Sequence, residues 1–117
     1  MQQSLKTCTV LSEKQSKTLE KHVPSHADLI PIAKLFSALS DPNRVRIVCA
    51  LSICNMCVSD LSAHLNVNQT TLSHQLAILK ERDVLECERD GKIVVYKIKN
   101  KKIFDLFLEA VCTIEEK

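Results

Sequence analysis

The stretch that most limits what this chain can fold into is "CVSDLSAHLNVNQTTLSHQLAILKERDV", Cys57 to Val84. A short helix ending near Leu65 meets a turn of three or four residues, and a longer amphipathic helix follows. That is helix-turn-helix grammar. Asn68 or its neighbour caps the second helix, and Leu72, Leu76 and Leu79, spaced by four and three, form its buried seam. The opposite face carries Gln69, Thr70, Ser73, His74 and Gln75. These polar groups suit base edges in a DNA major groove.

After Asp83 the pattern changes from helical period to alternation, "VLECER" and then "KIVVYKIK". The strands join across Arg89-Asp90-Gly91-Lys92, and an Asp-Gly turn between alternating strands is the strongest short hairpin signal. Arg89, Lys92, Lys97 and Lys99 lie near or after its tip, so the hairpin can follow phosphates as a wing. Upstream, Ile32, Leu35, Phe36 and Leu39 predict a first helix over 28–39, with Pro31 near its start. Asp41 followed by Pro42 opens the next helix, whose Val45, Val48, Cys49 and Ile53 should face a core. A last helix over 101–115 has an apolar stripe too wide for one contact: one side for the core, the other for a second subunit. Residues 1–26 show no helical stripe and are expected to form a mobile arm, leaving 27–117 as the folded domain. The expected class is mainly α with a β-hairpin wing, a winged helix-turn-helix of about five helices.

Composition narrows the function. A chain of 117 residues fits one core and gains stability by pairing with a copy of itself. With no Trp and one Tyr, the composition argues against stacking on single-stranded bases as the mode of action. The net charge of +2 does not announce a nucleic-acid binder, so the distribution of charge has to decide. No stretch nears the roughly 18 apolar residues of a membrane span, the first residues lack a secretory signal's apolar core, and a cytoplasmic protein is expected. In that reducing compartment the six cysteines read as packing residues, metal ligands or redox sensors rather than as a disulfide framework.

The segments "LFSALSDPNRVRIVCAL", "CVSDLSAHL", "LSHQLAILKERDVL" and "DGKIVVYKI" together resemble the ArsR/SmtB family of winged-helix metal-sensing repressors, over about residues 30–114. The resemblance implies a homodimer paired through its first and last helices, with two recognition helices in successive major grooves of an imperfect palindrome. It also implies that an inducer weakens the DNA complex and releases transcription of efflux or detoxification genes. Matched position by position, the recognition helix is Asn68 through Arg82, with Gln69, Thr70, Ser73, His74 and Gln75 at the contact positions. The wing is Leu85 through Lys99. Lys80, Arg82 and wing cations such as Arg89 and Lys92 would add sequence-independent phosphate affinity.

The family's metal box, usually Glu-Leu-Cys-Val-Cys-Asp-Leu, here reads Asn55-Met56-Cys57-Val58-Ser59-Asp60-Leu61. Cys57 keeps one thiolate, and Ser59 is a poor ligand for soft ions. Cys54 is near enough in sequence to co-ligate, and Cys8 on the arm would close the set from the same or the other subunit. Such a site favours Cd(II), Pb(II), As(III) or Zn(II). His22 and His26 are weaker candidates, read first as solvated arm residues. The family's other metal site, between the last helices, falls on Asn100, Lys102, Thr113 and Glu116, which is too poor a ligand set. A competing sensor remains. Some family members respond to persulfides or oxidants by linking a cysteine at the Cys49 position to one about a turn beyond Cys112. A disulfide needs about 4.4–6.8 Å between Cα atoms, so a one-turn shift of roughly 5 Å matters. Both residues also read as packing, and so does Cys87, alternating with Glu86 and Glu88. A thioredoxin-like reading of Cys54-Asn-Met-Cys57 fails for want of a preceding strand, and no other catalytic grouping stands out, so no enzyme is expected. A winged helix that binds only protein is countered by Ser73-His74-Gln75 and the basic wing.

Overall fold

The computed structural model describes residues 9–115. The chain divides into two units, with the boundary between Ile30 and Pro31 inside a helix. In the first unit, α1 spans Glu13–His22, where the sequence pattern offered no helical stripe. A capping box makes it. Ser12 Oγ accepts from the Gln15 N–H at 3.1 Å, and Gln15 Oε1 accepts from the Ser12 N–H at 2.9 Å. The described residues thus hold six helices rather than about five. Helix α2 spans His26–Ala38, two residues earlier than expected, which leaves Pro31 inside it rather than at its start.

In the second unit, α3 (Pro42–Ile53) opens as expected, with Asp41 as N-cap and Pro42 in the first turn. Its buried residues are Ile47, Val48 and Leu51. Ile53, expected in the core, is 83% exposed because it closes the helix away from that face. Helix α4 (Val58–Leu65) ends on Asn66 in the left-handed conformation, φ 58°, one of the few residue types that adopt it readily. Two residues later Asn68 caps α5 (Gln69–Glu81), its Oδ1 accepting from the Thr71 N–H at 2.8 Å. Leu72, Leu76 and Leu79 of α5 are buried against Leu61, Val84 and Leu85.

The hairpin pairs β2 (Leu85–Asp90) with β3 (Ile93–Ile98), and Asp90 lies opposite Ile93. The turn residues are therefore Gly91 and Lys92, not Asp90 and Gly91. Gly91 has φ +67° while Lys92 is not among the positive-φ residues, the pattern of a type II′ turn with Gly first. A further strand, β1 (Met56–Cys57), pairs antiparallel to β3, matching Met56 with Tyr96 and Cys57 with Val95. This corrects the expectation that no strand precedes α4. A two-residue strand carries no readable period.

Two arginines close helix C-termini, whose last carbonyls have no partner within the helix, and a third binds α2 one turn before its end. Arg44 Nε donates to the Ala38 carbonyl of α2 at 2.6 Å, and Arg46 Nη1 to the Leu65 carbonyl of α4 at 2.9 Å. Arg82 Nη1 donates to Ser37 Oγ and, at 3.5 Å, to the Lys34 carbonyl. Arg82, expected on phosphate, thus ties α5 to α2. Helix α6 (Lys101–Glu115) starts at Asn100, whose Oδ1 accepts from the Lys102 and Ile103 N–H groups at 2.9 and 3.3 Å. With Phe36, Leu39 and Val45 it forms an open apolar groove that leaves Phe36 49%, Leu106 55% and Ile114 68% exposed.

Leu76 and Ile53 give the first test. Leu76→Ala should cost about 2–5 kcal/mol of unfolding free energy, whereas Ile53→Ala should stay within about 0.5 kcal/mol, in urea melts at one protein concentration. A comparable loss at both positions would contradict a core that includes Leu76 and leaves Ile53 outside.

Candidate functional site

The polar face of α5 is available because its leucine seam is turned inward. Gln69, Thr70, Ser73 and His74 are exposed, in the first two turns of the helix. Gln69 Nε2 lies 3.5 Å from Ser59 Oγ of α4. Gln75 differs from its neighbours. It is half-buried, its Oε1 accepts from Arg44 Nη1 at 3.2 Å, and its Nε2 donates to Asp41 Oδ2 at 3.4 Å. Asp41 also pairs with Arg44 at 3.3 Å. Both ends of the Gln75 amide are thus held by the start of α3, and Arg44 connects α5 to the α2 carbonyl it caps. The sequence pattern gave no sign of this, because the three residues lie up to 34 positions apart.

The wing's charge is unevenly available. Lys97 pairs with Glu88 at 3.3 Å and Lys99 with Asp83 at 3.0 Å. Arg89 and Lys92, at the exposed tip, have no ion-pair partner among the described residues. Lys80, exposed near the end of α5, lies beside Cys87 of β2. Hydrogen bonding and charge at Cys87 raise the Lys80 ammonium above its ordinary 10.5, burial lowers it by less, and Tyr96 adds the smallest upward effect. Lys80 therefore stays cationic at neutral pH.

The cysteines fall into separate places. Cys54 is the exposed C-cap of α3, and Cys57 is the N-cap of α4 and the last residue of β1. The Cys57 thiol donates to Asp60 Oδ2 at 3.3 Å. Cys8 lies outside the described residues. Among those described, no cluster of three or more His, Cys, Asp or Glu is assembled. The two thiols of the α3–α4 link therefore offer a soft but incomplete donor set, and a third ligand has to come from elsewhere. His22 ends α1 and His26 begins α2. On α6 the Thr113 hydroxyl donates to the Glu109 carbonyl at 2.8 Å, and Glu116 lies outside the described residues.

Cys49 is half-buried on α3, one turn after Val45, which lines the apolar groove beneath α6. Cys112 is exposed with Asp105, Leu108 and Glu109 around it. It is nine residues from Ile103, a groove residue, and so about 180° around the helix axis from it. Within one protomer, then, Cys112 faces away from α3.

Residues 41–86 match the family described as bacterial regulatory protein, arsR family. A transcriptional repressor SmtB homolog of Synechocystis is 32% identical over 102 residues, covering 87% of this chain and 77% of that protein. A cadmium resistance transcriptional regulatory protein, CadC, of Listeria innocua is 40% identical over 80 residues, 68% of this chain and 67% of its own. Among solved structures, a homodimeric winged helix-turn-helix DNA-binding domain of Mycobacterium bovis superposes with TM-score 0.73 at 26% identity, covering 81% of this chain and 91% of that one. The antimony-specific transcriptional repressor AntR superposes with TM-score 0.72 at 26% identity, covering 94% and 96%.

The Lys80 contact gives a second test. In Cys87→Ala the Lys80 pKa, followed by NMR of its side chain, should fall back toward 10.5. An unchanged value would show that Cys87 does not hold it.

Proposed function

The chain belongs to the ArsR family of bacterial transcriptional repressors, winged-helix proteins that bind DNA as dimers, and from that premise we propose that it is released from its operator by a soft or borderline metal ion held at Cys54 and Cys57. The target is an imperfect palindrome, and release turns on efflux or detoxification genes. The proposed reading residues are Gln69, Thr70, Ser73 and His74, with Gln75 at the edge of the face and fixed by Asp41 and Arg44. Lys80, Arg89 and Lys92 take phosphates. The exposed apolar surface of α2 and α6 is the natural pairing face of two protomers.

The observation that carries the metal reading is the position of Cys57. It ends β1, which is paired to β3 of the wing, and it caps α4, which leads into the recognition helix. A ligand that draws Cys57 toward Cys54 therefore acts on both DNA-facing elements. Bound there, Cd(II), Pb(II), As(III) or Zn(II) would supply thiolate bonds stronger than the Cys57–Asp60 hydrogen bond. Release follows only if the ion binds the DNA-incompetent dimer more tightly than the DNA-competent one. Cys8 is the proposed third ligand, from its own or the partner subunit. The cadmium-resistance and antimony-specific names of two similar repressors support a soft ion.

The alternative inducer, a persulfide or oxidant acting through Cys49 and Cys112, has less support because Cys112 faces away from the groove that Val45 lines. Cys57→Ser should bind operator DNA with wild-type affinity yet stay bound when Cd(II) or As(III) is added, while Cys112→Ser should still release, both read by fluorescence anisotropy. Release of Cys57→Ser at the wild-type metal concentration would remove Cys57 from the site.

A further inference from the structure

One recess beside the recognition helix is used by none of the roles above. It lies between the start of α3, the end of α4 and the first turns of α5 and has a volume of about 120 Å³; its floor is apolar, with Ile47 and Leu72 among the lining residues, and Asn43, Arg46, Thr71 and Gln75 supply its polar groups. No acidic side chain lines it. Arg46 is fixed there by its Nη1 bond to the Leu65 carbonyl, which leaves most of a five-donor guanidinium uncommitted. The Asn43 amide and the Thr71 hydroxyl are exposed and have no hydrogen-bond partner among the described residues.

Position gives the recess its meaning. Thr71 is nine residues from Lys80, about 180° around the α5 axis, and the exposed Thr70, Ser73 and His74 lie on the arc between them. The reading face therefore has a cation toward the wing on one edge and this recess on the other. A helix inserted in a major groove is bordered by two phosphate strands, one on each edge.

We propose that the recess seats a backbone phosphate of the operator, on the strand opposite to the one the wing follows, with Arg46 as the cation and Asn43 and Thr71 as neutral donors. The inference rests on the DNA-binding reading and deepens it. A phosphate held by a fixed guanidinium sets the depth and tilt of α5 in the groove without reading sequence.

The test measures binding of the full-length chain to its own promoter duplex and to an unrelated duplex across a salt series. Arg46→Gln removes the charge but keeps an amide donor for the Leu65 carbonyl. It should weaken both duplexes by the same factor and, with one Arg46 in each protomer of the bound dimer, make the slope of log K against log salt shallower by about 1.8. Asn43→Ala should weaken both several-fold with the slope unchanged. An unchanged slope in a normally melting Arg46→Gln overturns the proposal. If that variant melts early, Asn43→Glu at an exposed position decides: strong loss on both duplexes supports the recess, and retained affinity overturns it. Failure of the unmodified chain to bind either duplex would overturn the repressor reading and this inference together, whereas normal binding with an unchanged slope overturns this inference alone.

Discussion

The burial of three leucines on one face of α5 is the constraint on which the rest depends. Leu72, Leu76 and Leu79 are each at most 1% exposed, locked against Leu61, Val84 and Leu85. Removing any of them from water is worth roughly 1.5–3 kcal/mol, more than any single surface hydrogen bond nearby. Because the seam fixes the rotation of α5 about its own axis, the polar residues between the leucines have nowhere to go but solvent. A helix that reads DNA needs that fixed rotation before it needs any particular base contact. The same seam anchors the wing, since Val84 and Leu85 lead directly into β2.

Around this core, the polar network decides which charges are left for a partner. Arg44, Arg46 and Arg82 are committed wholly or partly to carbonyls of α2 and α4, and Lys97 and Lys99 to carboxylates. The modest net charge of +2 is thereby divided between cations tied into the structure and others left for a partner, among them Lys80, Arg89 and Lys92 on the wing side of α5 and most of the Arg46 guanidinium on the other side. Arg44 has a second consequence. It touches the last carbonyl of α2 and the Gln75 amide together, and so joins the helix that carries the exposed Phe36 to α5.

Much of this was legible in the residues, and the exceptions share a cause. The Asp41-Pro42 start, the Asn68 cap, the leucine seam and the last helix are local signals, set by spacing and by side chains within four positions, and the structure has them where the pattern puts them. Helix α1 carries no apolar stripe that would announce it. The Ser12–Gln15 capping box was readable but has no core face behind it. The hairpin was placed correctly, yet its turn fell one residue later, since the pairing of Asp90 with Ile93 is set by the two strands and not by the dipeptide. Strand β1, the Gln75 clasp and the carbonyl contacts of the arginines depend on partners 19 to 48 residues away, except for Arg44 and Ala38. No local rule reaches that far. The thiols were legible as candidates only: Cys54 and Cys57 flank the α3–α4 link as expected, but their neighbours do not complete a ligand set among the described residues.

The central claim, that ligation at the α3–α4 thiols and loss of DNA are one event, is tested most directly by an anaerobic titration of the reduced chain on its operator. Thiolate-to-metal absorption and operator anisotropy are followed in the same cuvette with Cd(II), Zn(II), As(III) and a persulfide donor in turn. For at least one of the ions absorption and release should rise together and saturate at the same equivalence, while the persulfide donor leaves the complex intact. Release by the persulfide donor with no response to any of the ions would contradict the claim.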